Sequence, residues 1–301
     1  MEKIKLDEYK ELIKNERDKI FSQPYELVYR NFLKLNYHNK SPDYFKENAS
    51  EIIEKLRFNC WKSFLPLEEK FTTHLLKKLV KEEYVNSLSP IESITWFVES
   101  FPEHIYALIL SNTQSRRSRA GKEFEAIIEL ILIGAGIKLD SQANIGKLEF
   151  MKKGLGKMVD IVSPGVIEYT INKRNTILIS AKTTLRERWQ EVPEELGRTG
   201  AMEMFLVTLD DNISKEVLDT LYEANIQITT TKRIKDTKYK ENSRVLSFED
   251  LISLCISNSK KWENFIYSSE EKEFFKSMLI KQIEKHKEHE FVKQFYEKQL
   301  D

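Results

Sequence analysis

Between residues 158 and 230 the chain changes character, and that stretch limits its possible folds. Three short apolar runs appear there: Met158 to Val162, Val166 to Ile171 and Thr176 to Ser180. Their length and composition predict strands. Pro164-Gly165 between the first two predicts a tight turn, with the glycine at a positive φ. A helix is expected over roughly Leu185 to Leu196, then a buried strand at Met204 to Leu209. A helix at Ser214 to Ala224 and a short strand at Ile226 to Thr230 follow. Such an order requires a mixed central sheet with helices on both faces, an α/β (α+β) class.

The remainder reads as helix. Tyr25, Val28, Tyr29, Phe32 and Leu33 recur at helical spacing, as do Ile52, Ile53, Leu56, Cys60 and Phe64. Ser41-Pro42 predicts an N-cap followed by a first-turn proline. Pro66 and Ser89-Pro90 predict further helix boundaries. Ser118 to Gly134 is a helix with a stripe of Phe124, Ile127, Ile128 and Ile131, ended by Gly134 and Gly136. From about Lys261 the chain returns to charge-laced helix, expected to be plain solvated surface. The expected division is a helical part over 1–100, a core holding the strands over 101–260 and a helical extension over 261–301.

Composition excludes several classes. With 41% hydrophobic and 32% charged residues, collagen, mucin and long disorder are out. No apolar run reaches the ~18 residues of a membrane span. The charged, helix-patterned first twenty residues do not look like a secretory signal, so a cytoplasmic location is expected. Two distant cysteines, Cys60 and Cys255, argue against a disulfide framework or a cysteine zinc site. Lys plus Arg and Asp plus Glu are both 48, so the net charge is zero. Neutrality disfavours a generic polyanion binder but leaves open nucleic-acid binding through a local cluster.

The informative stretch is Asp160 to Glu195. Asp160 lies at a strand end, and Lys182 ends another strand 22 residues later. Strand alternation points Ser180 and Lys182 to one side. Glu195 follows 13 residues beyond Lys182, on the next helix. Two carboxylates and a lysine at neighbouring element ends can converge. Their hard oxygens suit Mg²⁺, and the lysine can hold or help deprotonate an attacking water. Phosphodiester hydrolysis uses those parts. An Asp, a Lys and a Glu at element ends also recur by chance in a chain this charged.

Two further features bear on that choice. Thr184-Leu185-Arg186-Glu187-Arg188 opens the expected helix, where Thr184 with Glu187 fits a capping box. Two arginines in a first turn oppose the helix dipole and need another reason. Base reading supplies one, since Arg pairs bidentately with guanine and Glu accepts from cytosine N4. Gln114 to Lys122 contains Arg116, Arg117, Arg119 and Lys122 with no acid, just before an expected helix start at Phe124-Glu125. That run is a candidate phosphate contact, or simply charged surface.

Asp160, then Ser180-x-Lys182, then Glu195, resembles the rearranged PD-(D/E)xK active site of Type II restriction endonucleases, with Val159 in place of the signature proline. The Arg186-Glu187-Arg188 and Gln114…Ser118-Arg119-Ala120-Gly121-Lys122…Glu125 elements are similar to the EcoRII/SsoII-like branch. The likeness is clear over about 100–210. It implies a sequence-specific double-strand endonuclease for CC-N-GG-type sites, leaving 5′-phosphates. Asp160 and Glu195 would bind metal together with the Ala181 carbonyl, with two Mg²⁺ per site. Lys182 would activate the water, and Glu125 would be an additional acid. Arg186, Glu187 and Arg188 would read G·C pairs in the major groove and Gln114 in the minor groove. The branch also implies extrusion of the central bases, for which Trp61 and Arg57, one helical turn apart, are the candidate pocket. Expected partners are duplex DNA, a second copy of the chain and, in the host, a protecting methyltransferase that is not a bound subunit. The alternatives are a structure-selective repair or junction nuclease of the same fold, a non-catalytic DNA-binding regulator, and a helical scaffold.

Overall fold

The computed structural model describes residues 3–300, apart from the side chain of Arg188. Fifteen α-helices and six strands are described. The N-terminal helices are α1 (Leu6–Ile20), α2 (Pro24–Lys34), α3 (Pro42–Lys77), α4 (Glu82–Val85), α5 (Pro90–Ser100) and α6 (Pro102–Gly134). Then come β1 (Asp140–Ser141), α7 (Gln142–Ile145), α8 (Lys147–Lys152), β2 (Ile161–Ser163), α9 (Val166–Ile171), β3 (Ile177–Lys182) and α10 (Glu191–Thr199). The chain continues through β4 (Met204–Thr208), α11 (Lys215–Glu223), β5 (Ile226–Thr230), α12 (Lys232–Lys238) and β6 (Val245–Ser247). It closes with α13 (Phe248–Ser259), α14 (Ser269–Lys285) and α15 (Glu290–Glu297).

These elements form two compact units. One comprises Met1–Val28 with Phe58–Glu123, the other Tyr29–Arg57 with Phe124–Asp301. The helices α2, α3 and α6 each run on from one unit into the other.

The first unit is all helix. Tyr9, Phe71, Leu75 and Phe101 are buried in it, and the Tyr9 hydroxyl donates to the Leu75 carbonyl at 3.1 Å. Ser89 and Glu92 form the capping box that starts α5 at Pro90, as the Ser-Pro pair predicts. Pro66, expected as a boundary, instead lies within the 36-residue α3.

The second unit holds the sheet, in the order β1-β2-β3-β4-β5-β6. The β1–β2 and β2–β3 pairings are antiparallel, and those from β3 to β6 are parallel. The parallel pairings are joined through α10, α11 and α12, because a parallel pair cannot be closed by a hairpin. Leu178, Met204, Leu206 and Ile228 are buried in the core, with Val192 and Leu196 of α10 and Leu221 of α11 among the same cluster.

Four expectations are corrected. Val166–Ile171 is a helix: Asp140 accepts the Val166 N–H at 2.8 Å, so a tertiary carboxylate starts α9 despite its β-branched residues. Gly165 is extended (φ −176°), not positive. A Cβ there would lie 2.8 Å from Glu168 Oε2 and 2.9 Å from Asp140 Oδ2, which is why the position suits glycine. The basic run does not precede a helix start but lies inside α6, which begins at Pro102. The C-terminal helices are not plain surface, since Met278, Leu279, Gln282, His286, His289, Val292 and Tyr296 are buried.

Candidate active site

The β2–β3 register brings Asp160 into place. Its N–H donates to the Ile179 carbonyl at 2.9 Å, so the backbone is already in the ladder one residue before β2. The side chain therefore faces the last residues of β3. Asp160 Oδ2 accepts the Ala181 N–H at 2.7 Å and lies 3.0 Å from Lys182 Nζ. Lys182 Nζ also donates to the Ala181 carbonyl at 3.0 Å. The lysine and aspartate side chains are only 11% and 12% exposed. An ammonium thus bridges a carboxylate and a carbonyl oxygen in a partly desolvated setting, where such an interaction is stronger than in water.

Glu195 comes from α10 and is buried. The predicted helix over Leu185–Leu196 is shorter than expected. Residues 186–187 form a turn, Arg188–Gln190 a 3₁₀ turn, and α10 starts at Glu191. The Thr184–Glu187 capping box does not form, because no helix begins there and the Leu185 N–H donates to Asp210 Oδ2 at 2.9 Å instead. On α10, Glu195 turns toward the loop that leads into Asp160. Its Oε1 accepts the Met158 N–H at 3.4 Å, and its Oε2 lies 3.4 Å from Arg198 Nη1. Gly156 makes this possible, since a Cβ there would lie 1.8 Å from Glu195 Oε1.

The chain matches the family model "EcoRII C terminal" over residues 77–252. It is 52% identical over 300 residues to the Type II restriction enzyme SsoII of Shigella sonnei, covering 100% of this chain and 98% of that protein. The chain belongs to the EcoRII/SsoII branch of Type II restriction endonucleases. Its fold is also that of metal-depleted Ecl18kI in complex with uncleaved DNA, with a TM-score of 0.94, 51% identity and 99% of each chain covered. A complex of the restriction endonuclease PspGI with substrate DNA shares the fold alone, at a TM-score of 0.60 and 18% identity over 80% of this chain and 94% of that one. The α/β restriction-endonuclease core expected from the sequence is present, and the enzyme is a site-specific deoxyribonuclease.

The remaining family positions fall in varied settings. Arg186 and Glu187 are exposed, and Arg186 has a left-handed backbone, φ 44°. The side chain of Arg188 lies outside the described residues. Gln114 is exposed on α6, and Glu125 is half-buried on the same helix. Trp61 is 46% exposed rather than core, with the Arg116 guanidinium 5.6 Å from its ring centroid. Arg57, one turn earlier on α3, is half-buried.

Of the basic run, Arg116, Arg117 and Lys122 are exposed. Arg116 is clasped by Glu68, a buried acid. Arg119 donates to the Ser22 carbonyl at 2.8 Å and pairs with Glu123, with rings of Phe21 and Phe64 beside it. Those two arginines hold helices together. No motif in the sequence marks Gly156, Glu68 or Asp210 as part of the site. Only Asp210 had a local signal, in the turn-forming run Asp210-Asp211-Asn212 after a strand.

Proposed function

We propose that the enzyme is a Mg²⁺-dependent homodimer that cuts both strands of duplex DNA at a CC-N-GG-type sequence. The observation that carries this reading is the convergence of Asp160 Oδ2 and the Ala181 carbonyl, each 3.0 Å from Lys182 Nζ. Two of the three expected metal-binding oxygens already gather around one cation, and the set with Glu195 is all hard oxygen, which fits Mg²⁺. Among the described residues no group of three or more His, Cys, Asp or Glu side chains is arranged for a metal. A set of two carboxylates and one carbonyl is consistent with that.

Asp160, Ala181 and Glu195 would hold the metal, with Glu125 as an additional acid where two ions bind. When bound, Mg²⁺ lowers the pKa of water and neutralises charge developing on the phosphate. Lys182 Nζ holds the attacking water and takes part in its deprotonation as its oxygen approaches phosphorus. The 3′-oxygen then leaves, and the phosphate remains on the 5′ end.

Arg186, Glu187 and Arg188 read G·C pairs from the major groove, with Gln114 in the minor groove. Trp61 and Arg57 receive an extruded central base. The partial exposure of Trp61 supports that role, because a stacking platform must be reachable. Arg117 and Lys122 are the phosphate contacts this geometry favours. What supports the homodimer is α5, which has no buried residue, while Ile91, Ile94 and Val98 are 78%, 67% and 57% exposed along one stripe. An apolar stripe of this kind marks an interaction surface. A protecting methyltransferase and a cytoplasmic setting complete the reading. No helix among the described residues is long and apolar enough to cross a membrane.

Digestion of a plasmid of known sequence with Mg²⁺, with fragment ends mapped, tests the proposal. Ends confined to CC-N-GG sites and carrying 5′-phosphates are expected. Cutting that follows junctions rather than linear sequence would overturn it in favour of a structure-selective nuclease.

A further inference from the structure

The segment 184–188 has no regular helix to hold it, yet Arg186 keeps a left-handed backbone at φ 44°. A residue with a side chain stays there only when its surroundings fix it. On one side a cavity of about 420 Å³, lined by Arg186, Trp189, Asp210 and Ser214 among others, lies against the turn, so close packing does not fix it there. The fixed point is Asp210. Its Oδ2 accepts the Leu185 N–H at 2.9 Å, next to the buried Leu185 side chain. Its Oδ1 accepts the Asn212 N–H at 3.1 Å, and its own N–H donates to Thr208 Oγ1 at 3.1 Å. Both carboxylate oxygens are therefore engaged, and the residue is tied to the end of β4.

The register explains the meeting. β3 and β4 are parallel with Lys182 beside Thr208. Leu185 and Asp210, three and two residues further on, thus emerge together at one end of the sheet. The carboxylate joins the end of β4, the strand beside the one that presents Lys182, to the segment that leads into Arg186.

We infer that Asp210 is a positioning residue for DNA reading, holding the 185–188 segment in register with Lys182. This rests on the proposal above that Arg186 and its neighbours read the bases. Asp210→Ala removes the acceptor while leaving Asp160, Lys182 and Glu195 in place. Affinity for a duplex carrying CC-N-GG should fall about tenfold or more, the loss of one bond to an ionised acceptor. Affinity for a duplex without the site should not change. KM should rise while the single-turnover rate at saturating DNA holds, a split that general destabilisation would not produce. In an Arg186→Ala background the same substitution should have little further effect, since both act through one segment.

Wild-type site preference in Asp210→Ala, or equal losses in both backgrounds, would overturn the inference. Arg186→Ala alone separates the two levels: retained site preference there would remove the base-reading proposal itself. Should Asp210→Ala fail to fold, the wild-type enzyme still decides. Its Leu185 amide should exchange with solvent more slowly than those of Thr184 and Arg186, and equal rates would overturn the anchoring bond.

Discussion

Glu195 needs room more than it needs partners. A Cβ at residue 156 would lie 1.8 Å from Glu195 Oε1, and a backbone loop cannot yield that distance cheaply. Gly156→Ala should therefore push the carboxylate out of place while the sheet stays folded. Cleavage should drop by about a hundredfold, the scale of an ångström-sized misplacement at an active site. Single-turnover assays with circular dichroism as the folding control check this, and cleavage at the wild-type rate would refute it. The meeting of Asp160 with Lys182 was legible in the sequence because strand pairing fixes where such a spacing leads. Gly156 was not, and Asp210 showed only as part of a turn, since each acts on a residue 39 and 25 positions away across intervening strands and helices that only the folded chain brings together.

Between elements, β1 and α9 meet at a buried acid. Burial pushes the Asp140 carboxyl up to about 6, opposed by the Val166 N–H, while Glu168 adds to the rise and Gln282 counters it. Glu168 Oε2 and Gln282 Oε1 are buried with no hydrogen-bond partner among the described residues. A folded-state pKa above the unfolded value means that this carboxyl contributes stability below about pH 4, which is lost as pH rises through about 6. Asp140→Asn does not ionise and places an N–H donor near those acceptors. It should stabilise the protein by about 1–3 kcal/mol at pH 8 and give no advantage near pH 4. Urea titrations at the two pH values check this, and a variant less stable at pH 8 would contradict it. The same acid explains why a β-branched run folds as helix, a tertiary effect that local pattern cannot contain. The C-terminal helices were misread for a related reason. Burial holds His286 down at about 3, a neutral ring bonded to Asn144 and His289, so polar residues there serve the interior.

For the whole molecule, the proposed cutting of both strands asks for two copies of the chain. The alternation of helix and strand was enough to read the fold class, and the family likeness carried the rest, because sheet order is set by the crossovers that such alternation permits. The exposed stripe of α5 had no such signal, since an apolar stripe looks the same whether it faces a core or a partner. On the homodimer reading proposed above, Ile94→Asp places a charge on the exposed stripe of α5 and should leave the enzyme monomeric in sedimentation velocity. A dimer unchanged in that variant would move the interface elsewhere. On the proposal above, Asp160, Lys182 and Glu195 act together in the hydrolysis. Its most direct test is single-turnover cleavage of a CC-N-GG duplex by Lys182→Ala with Mg²⁺, alongside its binding to the same duplex. Unchanged specific binding with a rate lowered about a hundredfold to ten-thousandfold is expected for loss of the proton-handling group. Cleavage at the wild-type rate would remove Lys182 from the chemistry.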